Sequence, residues 1–292
     1  MNDVSDVNSF GPADAAALIR VPTVDDDKYS RGVLGIITGS HRYPGAAVLG
    51  VEAALRTGVG MVRYRGAPRA AEFVVQRRPE AVSAEGRVQA WVLGSGMDAG
   101  AVDAGLSDSP AEYPDDVESG ARMRAALASG HPLIIDAGAL NAVNRATGPA
   151  IITPHARELS RLLDVDVDRV RADPLSAAHE AAARFQVVVL LKGSATRVVA
   201  PDGAVFVARE APAWLATAGA GDALAGILGA LVATHAAAGP IDAALLARLG
   251  AAAAVVHGLA AQRASAGGPF TVLDLCAAVP ATIAELVGGP HA

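Results

Sequence analysis

The sequence predicts an α/β fold built on a central, mostly parallel sheet with helices on its faces. Two observations predict it. Five continuous apolar runs, at 33–38, 91–93, 133–136 (ending in an acid), 151–153 and 187–191, read as strands buried on both faces, as parallel sheets require. Residues 33–64 read as strand, glycine-rich loop, helix and strand, a unit whose crossover is right-handed.

Taken in order, residues 1–30 are polar and acidic apart from a short apolar piece at 15–19, and read as a partly ordered lead-in. Residues 31–292 read as one domain, with no internal repeat and no dividing linker. The first strand runs into Gly39-Ser40-His41-Arg42-Tyr43-Pro44-Gly45, a loop of turn formers. A small-residue helix over 46–57 and a strand over 59–64 follow. Trp91-Val92-Leu93 ends in Gly94-Ser95-Gly96-Met97-Asp98. The acidic stretch 98–119 reads as a solvated loop, and a helix is expected over 117–129. The next strand ends at Asp136, followed by Ala137-Gly138-Ala139-Leu140-Asn141. The strand at 151–153 ends in Pro154-His155-Ala156-Arg157-Glu158, with Glu158 in the first turn of a helix. After a helix at 174–185 and the strand at 187–191 comes Lys192-Gly193-Ser194-Ala195-Thr196. Short strands at 197–200 and 204–207 flank Pro201-Asp202-Gly203, a hairpin turn. Helices are expected to about 237, over 242–264, and after Thr271.

Composition narrows the function classes. The 292 residues are 52% hydrophobic and 18% charged, enough for a large core. The net charge of −6 argues against a nucleic-acid or anionic-membrane partner. The single cysteine, Cys276, excludes an internal disulfide, and no Cys/His cluster has zinc spacing. The first residues lack a basic region followed by an apolar run, and small residues, His235 and prolines interrupt the apolar stretches of span length. The expectation is a cytoplasmic protein without membrane association.

Ligands of open parallel sheets sit beyond the carboxyl ends of the strands, where all five polar clusters fall. The stretch Ala216-Thr217-Ala218-Gly219-Ala220-Gly221-Asp222 feeds an apolar helix. The first amides of a helix lack internal partners and the macrodipole makes that end positive, so Gly219, Ala220 and Gly221 read as an anion hole. Asp222 is either an N-cap or a base that takes a proton from an attacking hydroxyl. Lys192, Ser194 and Thr196, with the amides around Gly193, suit phosphate contacts, although the spacing is not that of a P-loop. Asp136 and Glu158 are candidates to hold Mg²⁺ through water, or they complete a turn and a helix start. His155 is a candidate to hydrogen-bond a polar substrate, whereas His41, His131, His179, His235, His257 and His291 have no supporting context. Trp91 and Trp214 are expected to pack, with Trp214 close enough to the anion loop to line it. Asp222 as base, the anion hole and Mg²⁺ on a nucleotide would together meet the needs of phosphoryl transfer.

Six motifs in order, Gly39-Ser40 with Tyr43-Pro44-Gly45-Ala46, Gly94-Ser95-Gly96, Asp136 to Asn141, Thr153-Pro154-His155 with Glu158, Leu191-Lys192-Gly193 with Thr196, and Ala216-Thr217 through Asp222 to Gly226, resemble those of the ADP-dependent NAD(P)H-hydrate dehydratases over about residues 30–287. The resemblance implies a ribokinase-like three-layer sandwich. It implies that an adenine nucleotide, ADP with ATP as the alternative, phosphorylates the ring hydroxyl of the S form of hydrated NADH or NADPH (NADHX or NADPHX). Loss of phosphate then restores the reduced dinucleotide and leaves AMP. Asp222 matches the residue that contacts and deprotonates that hydroxyl. Ala46, Gly96 and His155 match positions that contact the hydrated dinucleotide. Lys192, Gly193, Ser194, Ala195, Thr196 and Gly221 match positions that contact the nucleotide. The resemblance also suggests a homo-oligomer, with a tetramer as its form, and an NAD(P)HX epimerase on a separate protein, since only about 30 residues precede the match.

Three departures mark this chain. Ala156-Arg157 replaces the usual Pro-Gly, Ala218 and Ala220 stand in the glycine loop where the family has Gly and Ser, and Ser95 replaces a Pro. They leave Asp222, the glycines at 219 and 221 and His155 in place. The alternative reading is a kinase of the same fold for a hydroxymethylpyrimidine, a thiazole alcohol or a sugar, which would use the same acid and anion hole. A regulator without turnover would be expected to lack Asp222 or Lys192.

Overall fold

The apolar runs pair into one eight-stranded sheet with the strands ordered β2-β1-β3-β4-β5-β6-β7-β8. The strands are β1 (Val33–Ile37), β2 (Met61–Tyr64), β3 (Ala90–Leu93), β4 (Leu133–Ile135), β5 (Ala150–Ile152), β6 (Val188–Leu191), β7 (Thr196–Val199) and β8 (Val205–Ala208). The first six are parallel, and the β7–β8 hairpin continues the sheet antiparallel. The structure is a computed structural model that describes residues 9–103 and 113–288. Residues 1–8 of the lead-in, 104–112 of the acidic stretch, and 289–292 with His291 lie outside the described residues.

Side chains alternate across the strands, so the sheet serves two cores. Leu34, Ile36, Val92, Ile134, Ile151 and Leu190 face one layer, made by α2 (Pro44–Thr57), α8 (Ala220–Ala236), α9 (Ala243–Ser265) and α10 (Val272–Leu286). Ile37, Leu93, Ile135, Ile152 and Val189 face the other, made by α4 (Pro114–Leu127), α5 (Ala156–Leu163), α6 (Val167–Ala172) and α7 (Pro174–Phe185). By length and composition α9 qualifies as a membrane span, yet 72% of its apolar window is buried here. Its contacts with the sheet and with α8 and α10 account for that apolarity.

Several boundaries differ from expectation. The helix expected from 117 begins at Pro114, because proline suits the first helical position, where its missing N–H is not needed. Thr196 opens β7 rather than closing the preceding loop. Two helices, α3 (Pro68–Arg77) and α6, were not expected at all. The lead-in is ordered from residue 9 onward. Ser9 bridges to Val207, Phe10 packs edge-on against Phe206, and Ala15 of the short helix α1 (Pro12–Ala16) is fully buried together with Leu18.

One ion cluster locks α2 to α3. Glu52 of α2 is wholly buried, and its carboxylate accepts hydrogen bonds from Arg56 (2.6 Å), Arg77 (3.2 Å) and Arg78. Burial alone would raise its pKa, but the Arg78 and Arg56 guanidiniums overrule it and hold the carboxyl at about 2. A carboxyl depressed from 4.5 stabilises the fold above that pH, and its contribution is lost as pH falls towards 2. Glu52→Gln should therefore lower stability by about 2–3 kcal/mol at neutral pH, below the cost of breaking a fully buried pair because the arginines stay partly in water. The same variant should flatten the acid limb of stability between pH 4.5 and about 2, read by urea denaturation across that range.

Candidate active site

Four consecutive parallel strands end in one polar cluster. Ser95 follows β3, Asp136 follows β4, Thr153 follows β5 and Lys192 follows β6. The Asp136 carboxylate accepts from Ser95 Oγ (2.7 Å), Thr153 Oγ1 (2.7 Å) and Lys192 Nζ (2.9 Å). Burial works against that charge, but Lys192 and the two hydroxyls hold the carboxyl below its ordinary range. Burial likewise works against the Lys192 ammonium, and Asp136, Glu158 and Asp222 around it keep its pKa above normal.

His155 and Glu158 form the N-terminal cap of α5. Glu158 Oε2 accepts the His155 N–H at 2.8 Å, and His155 Nδ1 accepts the Glu158 N–H at 3.1 Å. An Nδ1 that accepts leaves the proton of the neutral ring on Nε2, which lies 3.6 Å from Glu158 Oε2, beyond hydrogen-bond distance, on a half-exposed side chain that a ligand can reach. A bridge between His155 and Lys192, with Lys192 N–H donating to Pro154 at 2.9 Å, fixes the two motifs side by side.

The glycine loop closes the other side. Gly219 caps α8 with φ +92°, and the first turn presents the Gly221 and Asp222 amides, which have no acceptor within a helix. A Cβ at Gly221 would sit 3.4 Å from Lys192 Nζ, so the ammonium lies against this turn. Asp222 is half-buried there. Burial, and then the nearby Asp136 charge, push its carboxyl up to about 6 against the opposing pull of Lys192.

The loop after β1 completes the edge. Gly39 N–H donates to the Ser95 carbonyl at 2.7 Å, and Ser40 Oγ to the Gly96 carbonyl at 3.0 Å. Gly96 has φ +65°, and a Cβ there would meet Ala46 Cβ at 2.2 Å, so these two predicted contacts are neighbours. Helices α2 and α8 cross closely, with a Cβ at Gly226 meeting the Gly50 carbonyl at 2.2 Å. That crossing sets the Asp222 backbone beside Gly50, midway along α2.

The structure thus gathers Ala46, Gly96, Asp136, His155, Glu158, Lys192, Gly219, Ala220, Gly221 and Asp222 along one sheet edge. Gly193 and Ser194 lie exposed in the turn beyond Lys192, whereas the Ala195 side chain is buried and Thr196 pairs with Ala208 in the hairpin. Asp136 and Glu158 do not fit a direct Mg²⁺ site. The Lys192 ammonium lies 2.9 Å from one and 3.8 Å from the other, and the Asp136 oxygens already accept three protein donors. Among the described residues no group of three or more His, Cys, Asp or Glu side chains could hold a metal. His257, given no role from sequence, is buried in α9 next to the Ala220 backbone, with its Nε2 left without a hydrogen-bond partner. Burial pushes its pKa down to about 4, so a neutral ring supports the anion-hole turn. Only the long-range packing of α9 on α8 reveals this contact.

The comparisons with known proteins follow this geometry. The family model described as NAD(P)H-hydrate dehydratase matches residues 34–278. A bifunctional NAD(P)H-hydrate repair enzyme Nnr of Mycobacterium leprae is 38% identical over 242 residues, covering 78% of this chain and 46% of the relative. The chain spans about half the length of such bifunctional relatives. An ADP-dependent (S)-NAD(P)H-hydrate dehydratase of Xanthomonas campestris is 34% identical over 224 residues, covering 71% of this chain and 74% of that one. In structure, the ADP/ATP-dependent NAD(P)H-hydrate dehydratase of Bacillus subtilis, co-crystallised with ATP/Mg²⁺, aligns with a TM-score of 0.78 at 24% identity, covering 96% of this chain and 99% of that one. The architecture is ribokinase-like.

Removing one member of the buried pair should be worse than removing both charges. Lys192→Met leaves Asp136 ionised without its counter-charge and should lose roughly 3–5 kcal/mol. Asp136→Asn in the same chain should recover most of that loss, as measured by chemical denaturation of the single and double variants.

Proposed function

The chain belongs to the NAD(P)H-hydrate dehydratase family, and on that premise we propose that it dehydrates the S form of NADHX or NADPHX to NADH or NADPH, consuming ADP, or ATP as the alternative donor. The observation that carries the reading is Asp222, a carboxylate of raised basicity at the amino end of α8, beside Lys192 and the Ala46–Gly96 contact.

In this reading Asp222 takes the proton of the ring hydroxyl. The freed oxygen attacks the terminal phosphorus of the nucleotide, and with ADP the bond to the bridging oxygen breaks to release AMP. The phosphate then departs with the ring C–O electron pair, the neighbouring ring carbon loses a proton, and the nicotinamide double bond returns. The turn from Gly219 through Ala220 and Gly221 faces the developing negative charge with the fixed Gly221 and Asp222 amides, which need no reorganisation during the reaction, while the Ala220 N–H is taken by the Thr217 carbonyl at 3.4 Å. Lys192 supplies the positive charge next to Gly221. His155 Nε2–H donates to the hydrated dinucleotide, and the Ala46–Gly96 contact shapes the pocket that receives it. Gly193, Ser194, Ala195 and Thr196 complete the nucleotide side, Ala195 through its backbone. Mg²⁺ on the nucleotide phosphates would neutralise part of their charge, with Asp136 and Glu158 placed to reach it only through water.

The reading extends to the setting of the enzyme. It acts in the cytoplasm as a homo-oligomer, a tetramer on the family's pattern, with an NAD(P)HX epimerase as its functional partner.

The test is the near-ultraviolet absorbance of the reduced nicotinamide after protein, Mg²⁺ and ADP or ATP are added to hydrated NADH. A nucleotide-dependent rise is expected. Absence of any rise with either nucleotide, while the protein still binds ADP, would move the assignment to a kinase of small alcohols. Asp222→Asn should keep nucleotide binding and lose on the order of 10²–10⁴ in kcat. A base with a pKa of about 6 is protonated and inactive below that value, so kcat should fall as pH drops through about 6 and level off above it.

A further inference from the structure

A second cleft opens at the opposite edge of the sheet. It has a volume of about 870 Å³ and is bounded by Gln89, Pro132 and Pro149, the residues just before β3, β4 and β5. Those are the amino ends of strands whose carboxyl ends carry the site above, so the two sites are separated by the sheet. The volume lies in the range of sites for small metabolites, roughly 300–1,000 Å³.

The local sequence builds this cleft. Gly35 in the middle of β1 leaves the space that the Trp91 ring fills, since a Cβ there would meet the ring at 2.2 Å. The indole therefore lies flat on the sheet and, with Val88 and Ile241, forms an apolar wall. Around it stand Arg63, Arg65, Arg87 and Arg122. Three of these arginines brace the scaffold. Arg63 donates to the carbonyls of Ala84, Glu85 and Arg87, Arg65 to the Ser83 carbonyl and the Glu85 carboxylate, and Arg122 to the carbonyls of Arg65 and Gly66. The one lining carboxylate, Glu85, is thus already paired.

Three donors stand among the groups left over. The exposed Arg87 guanidinium has no side-chain partner among the described residues. Gln89 is 95% buried by its 5% exposure, and its Oε1 is taken by the Val33 N–H at 2.6 Å, which leaves Nε2 without an acceptor. The Trp91 indole N–H is also buried without a partner. Both nitrogens are sealed from solvent within the wall, so what the cleft itself presents is its arginine cations and the indole face.

We propose that this cleft is a binding site, separate from the catalytic edge, for an anionic metabolite of nucleotide size. The ligand presents acceptor oxygens to Arg87 and the positive charge of the neighbouring Arg63, Arg65 and Arg122, and a flat apolar part to the indole face. The helix that carries Asp222 in its first turn ends at this cleft, where Ala236 and the turn at Gly239 and Pro240 line it. The assignment does not depend on the dehydratase reading.

The two tryptophans make the test direct, because Trp91 lies in the cleft and Trp214 lies near the other edge. Trp214→Phe protein is titrated with ADP, NADPH and inorganic phosphate while Trp91 emission is followed. The expected result is a saturable change with at least one probe that weakens as salt rises. Arg87→Ala, an exposed position that leaves the scaffold contacts in place, should weaken it roughly tenfold or more, the loss of one charge-assisted hydrogen bond. No saturable change with any of the three probes, or a response that survives Arg87→Ala, overturns the proposal.

Discussion

Lys192 and Asp136 place opposite charges 2.9 Å apart where four parallel strands end, and much of the site is a consequence of that pair. Asp136 stays ionised in a buried position because Ser95, Thr153 and Lys192 each donate to it. Its charge in turn keeps Lys192 protonated and aims the ammonium at the α8 turn, where Gly221 leaves it room. The same negative charge raises the basicity of Asp222. One cation thus stands among three carboxylates, Asp136, Glu158 and Asp222. An anionic ligand here must draw most of its stabilisation from backbone dipoles and from the cation it brings with it.

Much of this architecture was legible in the sequence. The strands show themselves as unbroken apolar runs because a sheet covered on both faces leaves no polar alternation. The polar clusters read as one site because parallel strands bring all their carboxyl ends to the same edge. Other features were not legible. Helix α3 is largely exposed and buries only Ala70 and Val74, so its apolar face is narrow, and α6 is only six residues long. The pairing of Asp136 with Lys192 spans 56 residues and exists only once β4, β5 and β6 are side by side. His257 sits beyond the end of the glycine-loop helix in sequence, and nothing local marks it as a neighbour of Ala220.

The departures from the family pattern fall at positions the structure can weigh. With Ala156-Arg157 in place of Pro-Gly, α5 begins at Ala156, and the reciprocal cap between His155 and Glu158 forms without either. Ala218 is exposed at the lip of the glycine loop, whereas Ala220 is buried, so the hydroxyl missing at 220 would have had little access to solvent. The changes therefore act on the rim and backing of the loop more than on the groups that face its anion hole.

The close crossing of α2 and α8 at Gly50 and Gly226 has a mechanical consequence. The helix that opens beside Ala46 and the helix that opens with Asp222 touch backbone to backbone, with no side chains between them to yield. Such a joint has almost no play, so reacting groups on either side of it keep their spacing through thermal motion. Adaptation to ligands of different shape is then left to the exposed turns around it, at Tyr43, at Gly193 and Ser194, and at Ala216 to Ala218. Those turns can change shape without disturbing the spacing of the groups that the two helices carry.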